Sequence, residues 1–171
     1  MKKLPKFMPL IIFIFLTFFF LKKIIYFEES KDLKSVLIDK PFPTINLRSL
    51  DGKEEISEYI GKDFTIVNYF ASWCEPCRVE HKSLKSIKDV NTLIGIAYKD
   101  EKKNIQNFLN ELGNPYKKVF LDTNGRSGIE LGLYGVPETY FIDREGIIKY
   151  KHVGPIDERS LKGIINMLKK N

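Results

Sequence analysis

Two cysteines, Cys74 and Cys77, are the residues of this chain with the most distinctive chemistry. They are the only cysteines among 171 residues, and their spacing makes a C-x-x-C motif. Thiols at this spacing at the start of a helix can close a disulfide and reopen it without unfolding the chain. An apolar run at 64–71 precedes them and predicts a buried strand, and a strand that leads into a C-x-x-C favours redox chemistry. We therefore predict that Cys74 and Cys77 form a redox-active disulfide.

The two thiols are expected to have different roles. Cys74 falls just before the predicted helix, where free N–H groups and the helix dipole favour a thiolate. Pro76 suits the first turn, where its missing N–H costs nothing. We predict that Cys74 attacks a substrate disulfide and that Cys77, nearly one turn later, resolves the mixed disulfide. Half of a structural zinc site is the alternative, but the chain has no second C-x-x-C, and we predict no metal and no cofactor.

Glu80 is a candidate for proton transfer. On a helical wheel it shares the inward face with Cys77, Leu84 and Ile87. Burial of a carboxylate is costly and raises its pKa. Such a group beside Cys77 could pass protons to and from the thiols. The alternative is that Glu80 turns to the rim and pairs with a lysine.

The residues that flank the cysteines suggest two further hypotheses. Glu75 lies between the cysteines and is expected to be exposed, so its charge would oppose a thiolate at Cys74 and make the couple more reducing. Trp73 is predicted to flank the disulfide as a platform, and a plain packing role is the alternative for this residue.

A second segment of interest, residues 135–139, lies just before a predicted strand. Its Pro137 is a candidate for a cis peptide bond, and the loop could pack against the cysteines, although most prolines before strands are trans. The two histidines, His81 and His152, are isolated in the sequence. We expect His81 at the rim of its helix rather than in a metal site.

The remaining pattern predicts one α/β domain with a central sheet and helices on both faces. A hairpin at 45–56 is expected to lead into the strand at 64–71, and the helix after the cysteines should run to about Val90. Asp100 could cap the helix that follows it. Strands are predicted at 93–97, 119–121, 139–142 and 147–150, and helices at 105–112, 128–133 and from about Asp157, in the order ββαβαβαββα.

The first 27 residues have the pattern of a membrane anchor. Residues 7–21 are almost entirely apolar, lysines flank them on both sides, and no alanine occurs before Ala71 to build a signal-peptidase site. Residues 24–27 extend the run to roughly the 30 Å of a bilayer core. With the positive-inside rule, we predict a cytoplasmic segment at 1–6, a transmembrane signal-anchor at 7–27, a linker at 28–40 and a folded domain at 41–171 in a disulfide-permissive compartment.

Most of the net charge of +6 belongs to this N-terminal part of the chain. Residues 1–27 hold five lysines and no acidic residue, which leaves 23 basic and 22 acidic side chains in residues 28–171. The basicity therefore reflects membrane topology, and the sequence gives no support to nucleic-acid binding.

The Trp-Cys-x-x-Cys after an apolar strand and the Val-Pro before a later strand resemble the thioredoxin superfamily. Three segments, 95–100, 111–116 and 133–143, resemble more closely the DsbE/CcmG proteins of cytochrome c maturation. The sequence Tyr-Gly-Val-Pro-Glu-Thr in the third segment is the most specific to that branch. The N-terminal anchor resembles theirs as well. The resemblance implies a thioredoxin-like fold at 41–171, with a central mixed β-sheet flanked by helices.

The same resemblance implies a membrane-anchored thiol:disulfide oxidoreductase of the inner membrane, with its domain in the periplasm. Its substrate would be the disulfide of the C-x-x-C-H haem-attachment site of an apocytochrome c, or a partner thiol protein. Its electrons would come from a DsbD/CcdA-type membrane protein. Glu80 would match the family's acidic residue near the thiols, and Pro137 would be its cis proline. The expected substrate groove comprises Trp73, Glu75, Pro76, Val136, Pro137 and Glu138.

Asn68 is a departure from thioredoxin, which has a buried aspartate six residues before its first cysteine. Asparagine cannot relay a proton, and this strengthens the case for Glu80. Glu75-Pro76 also occurs in ResA-type reductases of Gram-positive bacteria, which serve the same pathway. A general dithiol oxidase remains the alternative, although an oxidant needs a strongly stabilised thiolate. A copper chaperone is disfavoured because residues 134–140 contain no histidine.

Overall fold

The apolar run before the cysteines forms the centre of the fold. In the structure, a computed structural model, this run is a strand whose six residues are all buried. The structure describes residues 8–26, 35–52, 54–87 and 92–169, with side chains in the first range as far as Lys23. In chain order the elements are α1 Met8–Tyr26, a 3-10 turn Ile56–Glu58, β1 Thr65–Phe70, α2 Glu75–Lys85, β2 Thr92–Tyr98, α3 Lys102–Leu112, β3 Lys118–Asp122, α4 Arg126–Glu130, β4 Glu138–Ile142, β5 Ile148–Val153 and α5 Glu158–Lys169.

Helix α1 belongs to one compact unit, and all later elements belong to a second. Its described leucine, isoleucine and phenylalanine side chains are 46–67% exposed. Within the described ranges, no helix combines the length and the apolar character that a membrane crossing requires. The predicted segment 1–6 and most of the predicted linker 28–40 lie outside the described residues.

The second unit is built on a five-stranded sheet with the strand order β3-β2-β1-β4-β5. Strand β1 pairs parallel with β2, and β2 pairs parallel with β3. On the other side, β1 pairs antiparallel with β4, and β4 pairs antiparallel with β5. The sheet is therefore mixed, and the thioredoxin-like α/β fold is confirmed.

The sheet buries a separate apolar core on each face. Helices α2, α3 and α5 contribute Leu84, Phe108 and Leu161 to the core on one face. On the opposite face, the core includes Phe42 from the N-terminal segment and Leu131 just after α4. Because successive residues of a strand point to opposite faces, β1 contributes to both cores. The prediction of helices on both faces is confirmed.

Three local predictions differ from the structure. The hairpin at 45–56 is reduced to a single bridge between Arg48 and Glu55, while Ser49 pairs with Phe120 of β3 and the apolar side chains of the segment pack into the core on one face of the sheet. Helix α2 ends at Lys85, and the region around Val90 lies outside the described residues. Glu101, not Asp100, occupies the N-cap of α3.

Candidate active site

The C-x-x-C motif lies where β1 passes into α2. Cys74 is the N-cap residue of α2, and its Sγ accepts a hydrogen bond from the N–H of Cys77 at 3.2 Å. The two cysteines form a disulfide, and they are only 4% and 1% exposed. Pro76 fits the first turn of α2, where no intrahelical N–H donor is required. The helix N-terminus therefore points its free N–H groups at the sulfur of Cys74, which favours a thiolate there after reduction.

The loop before β4 lies against the disulfide. The Val136 carbonyl oxygen is 3.5 Å from Cys74 Sγ, and the Val136–Pro137 peptide bond is cis, as the resemblance implies. Val136 is partly exposed and Pro137 is buried. The Cys74 sulfur thus contacts the backbone of a residue 62 positions later in the chain.

Glu80 lies inside the protein on the same face of α2 as Cys77, one turn further on. It is 2% exposed, and both carboxylate oxygens accept hydrogen bonds. Asn68 Nδ2 donates to Oε1 at 2.9 Å, and the N–H of Ile156 donates to Oε2 at 3.2 Å. Burial raises the pKa of Glu80 to about 7, while these two hydrogen bonds oppose the rise. The alternative placement at the rim beside a lysine is wrong.

Asn68 has a fixed orientation in this network. The hydroxyl of Tyr116 donates to Asn68 Oδ1 at 2.8 Å, so the amide nitrogen must face Glu80 and Thr139. Burial raises the pKa of Tyr116 well above its usual value, and the hydroxyl therefore remains a donor. Since both neighbours of the Glu80 carboxylate are donors, a proton on Glu80 would have to be offered to a different group. Cys77, one turn earlier on the same face of α2, becomes a buried titratable thiol once the disulfide is reduced.

The loop that enters the motif is held by the segment after β2. The buried Asp100 carboxylate accepts hydrogen bonds from the N–H groups of Ser72 at 2.6 Å and Glu101 at 2.7 Å. Trp73 is 60% exposed, and its indole N–H donates to the Lys99 carbonyl at 3.3 Å. Trp73 is thus an exposed aromatic side chain whose indole edge is held by a hydrogen bond. Asp100 has a structural role that differs from the predicted helix cap.

Glu138 does not lie where a groove residue should. Its side chain is fully buried and forms an ion pair with Lys151 at 2.9 Å. It therefore supports the loop from beneath instead of lining a surface groove, since a carboxylate at this depth requires a buried partner. Among the predicted groove residues, Trp73, Glu75 and Pro76 are exposed.

His81 is also placed differently from the prediction. It is 2% exposed, and its Nε2 lies 2.7 Å from the carbonyl of Gly113, so this nitrogen carries the proton. Its ring contacts Phe108 and Tyr116 edge to face, at centroid distances of 5.0 and 6.0 Å. Burial lowers the pKa of His81, and its Nδ1 has no hydrogen-bond partner within the described part of the chain. The expected rim position is wrong because aromatic residues from α3 and the following loop cover this side of α2.

The comparisons with known proteins agree with this geometry. Residues 38–167 match the model of the redoxin family. The chain is 39% identical over 163 residues to the thiol:disulfide interchange protein DsbE of Pseudomonas aeruginosa, which covers 93% of this chain and 89% of the relative. It is 37% identical over 167 residues to DsbE of Escherichia coli, covering 93% and 90%. The chain belongs to the DsbE family of redoxins.

Solved structures of related proteins have the same architecture. A thioredoxin-family thiol:disulfide interchange protein from Chlorobium tepidum is 30% identical, with a TM-score of 0.62 over 74% of this chain and 94% of that one. A DsbF homologue from Corynebacterium diphtheriae has a TM-score of 0.68 at 22% identity, over 81% and 96%, and shows the shared fold. With its C-x-x-C disulfide, this DsbE-family chain is a thiol:disulfide oxidoreductase, acting on thiol proteins.

The exposed Glu75 provides a prediction about the redox couple of this DsbE-family protein. Its carboxylate lies in the first turn of α2, next to the sulfur that becomes a thiolate on reduction. Glu75→Gln removes a charge that opposes the thiolate, so the reduction potential should rise by about 10–20 mV. Equilibration with glutathione measures the shift, and the shift should shrink in 1 M salt because an exposed charge is screened. An unchanged or lower potential would contradict the hypothesis.

Proposed function

We propose that this protein reduces disulfides in cytochrome c maturation. Its substrate is the C-x-x-C-H haem-attachment disulfide of an apocytochrome c, or a partner thiol protein that serves it. The observation that carries the proposal is the juxtaposition of the Cys74 sulfur, at a helix N-terminus, with the carbonyl of the partly exposed Val136. The resemblance of segment 133–143 to the DsbE/CcmG branch supports the pathway, and the exposed Glu75 supports the reducing direction.

The reaction begins with the reduced dithiol. The Cys74 thiolate attacks one sulfur of the substrate disulfide, which forms a mixed disulfide and releases one substrate thiolate. The Cys77 thiolate then attacks Cys74 Sγ, which releases the second substrate thiolate and closes the Cys74–Cys77 disulfide. Two electrons pass to the substrate, and a DsbD/CcdA-type membrane protein restores the dithiol.

Glu80 has the proton-transfer role in this scheme. The Cys77 thiol must lose its proton before it attacks, and it returns to the protonated state when the protein is reduced again. A carboxyl group with a pKa of about 7 can accept and return that proton near neutral pH. Its two hydrogen-bond donors, Asn68 and the Ile156 N–H, stabilise the ionised form during the transfer.

We also propose that the chain is anchored in the inner membrane by residues 7–27, with residues 41–171 in the periplasm. The apolar sequence of residues 7–21 and the lysines that flank it support an anchor. Alkaline carbonate extraction of cell membranes tests this proposal. Release of the full chain into the soluble fraction would count against it.

The function is tested with an oxidised peptide that contains one C-x-x-C-H disulfide. We expect the reduced protein to reduce this peptide stoichiometrically, and its reduction potential to lie near or below the roughly −270 mV of thioredoxin. A potential near the roughly −120 mV of strong oxidants, with oxidation of the reduced peptide, would replace this proposal by the alternative of a dithiol oxidase.

A further inference from the structure

A buried ion pair lies directly beneath the loop that contacts Cys74. Lys151 Nζ is 2.9 Å from Glu138 Oε2, and their side chains are 1% and 0% exposed. Glu138 begins β4, while Lys151 lies on β5 opposite Tyr140. An ion pair at this depth loses its hydration and adds little net stability compared with apolar residues of similar size. Its presence at this position therefore requires an explanation beyond stability.

Glu138 uses its other oxygen to hold the loop. Oε1 accepts hydrogen bonds from the N–H groups of Tyr134 at 2.8 Å and Gly135 at 3.3 Å. These are the two residues immediately before Val136, whose carbonyl lies against Cys74 Sγ. The carboxylate therefore fixes the backbone on the approach to the contact with the sulfur.

Lys151 holds the same loop from its other end. Its ammonium group donates to the Gly132 carbonyl at 2.7 Å, and it lies 4.5 Å from the ring centroid of Tyr134. The Tyr134 ring is 63% exposed, so the lysine supports the inner side of an aromatic residue that faces solvent. Tyr140, 5.2 Å from the same cation, donates its hydroxyl to the Leu131 carbonyl at 3.0 Å and completes the anchorage.

We propose that Glu138 and Lys151 are positioning residues that hold residues 132–136 in the conformation that receives an extended polypeptide beside Cys74. Neither side chain reaches the surface to contact a substrate. They act through the Val136 backbone and the Tyr134 ring, and they determine how strongly a polypeptide disulfide binds. This inference rests on the proposed roles of Cys74 and its neighbouring loop.

Two double variants separate the loss of the loop's hydrogen-bond acceptor from the loss of the two charges. E138Q/K151M removes both charges but keeps an oxygen that can accept from the Tyr134 and Gly135 N–H groups. The amide nitrogen of the glutamine at position 138 can donate to the Tyr140 hydroxyl oxygen. That hydroxyl can still donate to the Leu131 carbonyl. E138L/K151M also removes both charges, and it leaves the loop with no acceptor. Neither variant leaves an unpaired buried charge, which single replacements would do.

We expect E138L/K151M to raise the KM for the oxidised C-x-x-C-H peptide about tenfold or more, with a smaller change in kcat. The reason is that a displaced loop weakens the binding of the peptide more than it slows the chemical step. E138Q/K151M should restore most of this loss. In hydrogen exchange, the Tyr134 and Gly135 amides should exchange at least about tenfold faster in E138L/K151M than in E138Q/K151M. The matched control is D39N/K149M, which removes the exposed ion pair between Asp39 and Lys149, a residue on the same strand as Lys151. Asparagine is chosen because Asp39 has a φ of 60°.

Equal KM values and equal amide exchange in the two double variants would overturn the proposal. If E138L/K151M does not fold, hydrogen exchange of the parent protein tests the proposal instead. An unprotected Tyr134 amide in the parent would contradict the proposed anchorage of the loop. A parent that protects this amide but does not reduce the peptide would support the anchorage and reject the proposed function. The two failures are therefore distinguishable.

Discussion

Replacement of Cys74 by serine is expected to abolish disulfide reduction, whereas Cys77→Ser is expected to trap the substrate covalently. Cys74 lies at the N-cap of α2 beside the carbonyl of the partly exposed Val136, while Cys77 is 1% exposed. Only Cys74 is thus placed to attack a substrate. Loss of the nucleophile should lower the rate by about 10³-fold or more.

Detection of the trapped mixed disulfide is a more specific test of the two roles than the loss of activity. Reduced Cys77→Ser protein mixed with the oxidised peptide should accumulate a mixed disulfide through Cys74, visible by mass spectrometry under non-reducing conditions. Cys74→Ser is the matched control and should accumulate far less, although it also retains one thiol. Equal trapping by both variants would reverse or remove the assigned roles.

Glu80→Gln is expected to make the oxidised protein more stable at pH 8 relative to the parent than it is at pH 5. Glu80 is buried, and its pKa is raised from 4.5 to about 7. Between these two values the unfolded chain loses the proton that the folded chain retains, so the parent's stability falls as the pH rises from about 4.5 to 7. The lost stability amounts to about 3 kcal/mol, and a glutamine at this position does not titrate.

Urea unfolding of the parent and of Glu80→Gln at pH 5, 6, 7 and 8, with the disulfide intact, measures this effect. The lowered pKa of His81 acts in the opposite direction, since its folded state resists protonation and stability falls as the pH drops below about 6.5. Because both proteins contain His81, the difference between them isolates Glu80. Glu145→Gln, on an exposed turn, is the control and should show no such dependence. A constant difference across this pH range would contradict a raised pKa.

Local sequence patterns were sufficient to predict the redox pair and the inward face of α2. The C-x-x-C and Glu80 are separated by less than two helical turns, so helical periodicity alone places them together. The central strand was recognisable for a similar reason, because a short apolar run is typical of a strand buried on both faces. All of these features depend only on residues that are close together in the sequence.

The position of Glu138 and Lys151 beneath the loop before β4 depends on the pairing register of β4 and β5. Local sequence patterns do not determine this register. A regular hairpin closed by Ile142 and Ile147 would place Lys149 opposite Tyr140. Instead Ile142 pairs with Ile148, and an irregularity between Phe141 and Ile142 shifts the register by one further residue, so Lys151 lies opposite Tyr140. This register brings Lys151 beneath the loop, where it pairs with the buried Glu138. The predicted rim position of His81 is wrong for a related reason. The rings that cover His81 belong to Phe108 and Tyr116, which are distant from it in the sequence.

The small exposed fraction of Cys74 has a consequence for selectivity among oxidants. Only 4% of this residue is accessible, and Cys77 behind it is almost completely enclosed. A reductant that works among oxidising molecules can lose its electrons in unproductive collisions. Here the Val136 carbonyl lies against the Cys74 sulfur and covers part of it. A small oxidant therefore finds little of the sulfur to strike, whereas a polypeptide bound beside this loop would bring its own disulfide to it. In the proposed reductase, shielding of this kind would slow the loss of electrons to small oxidants, whatever the reduction potential.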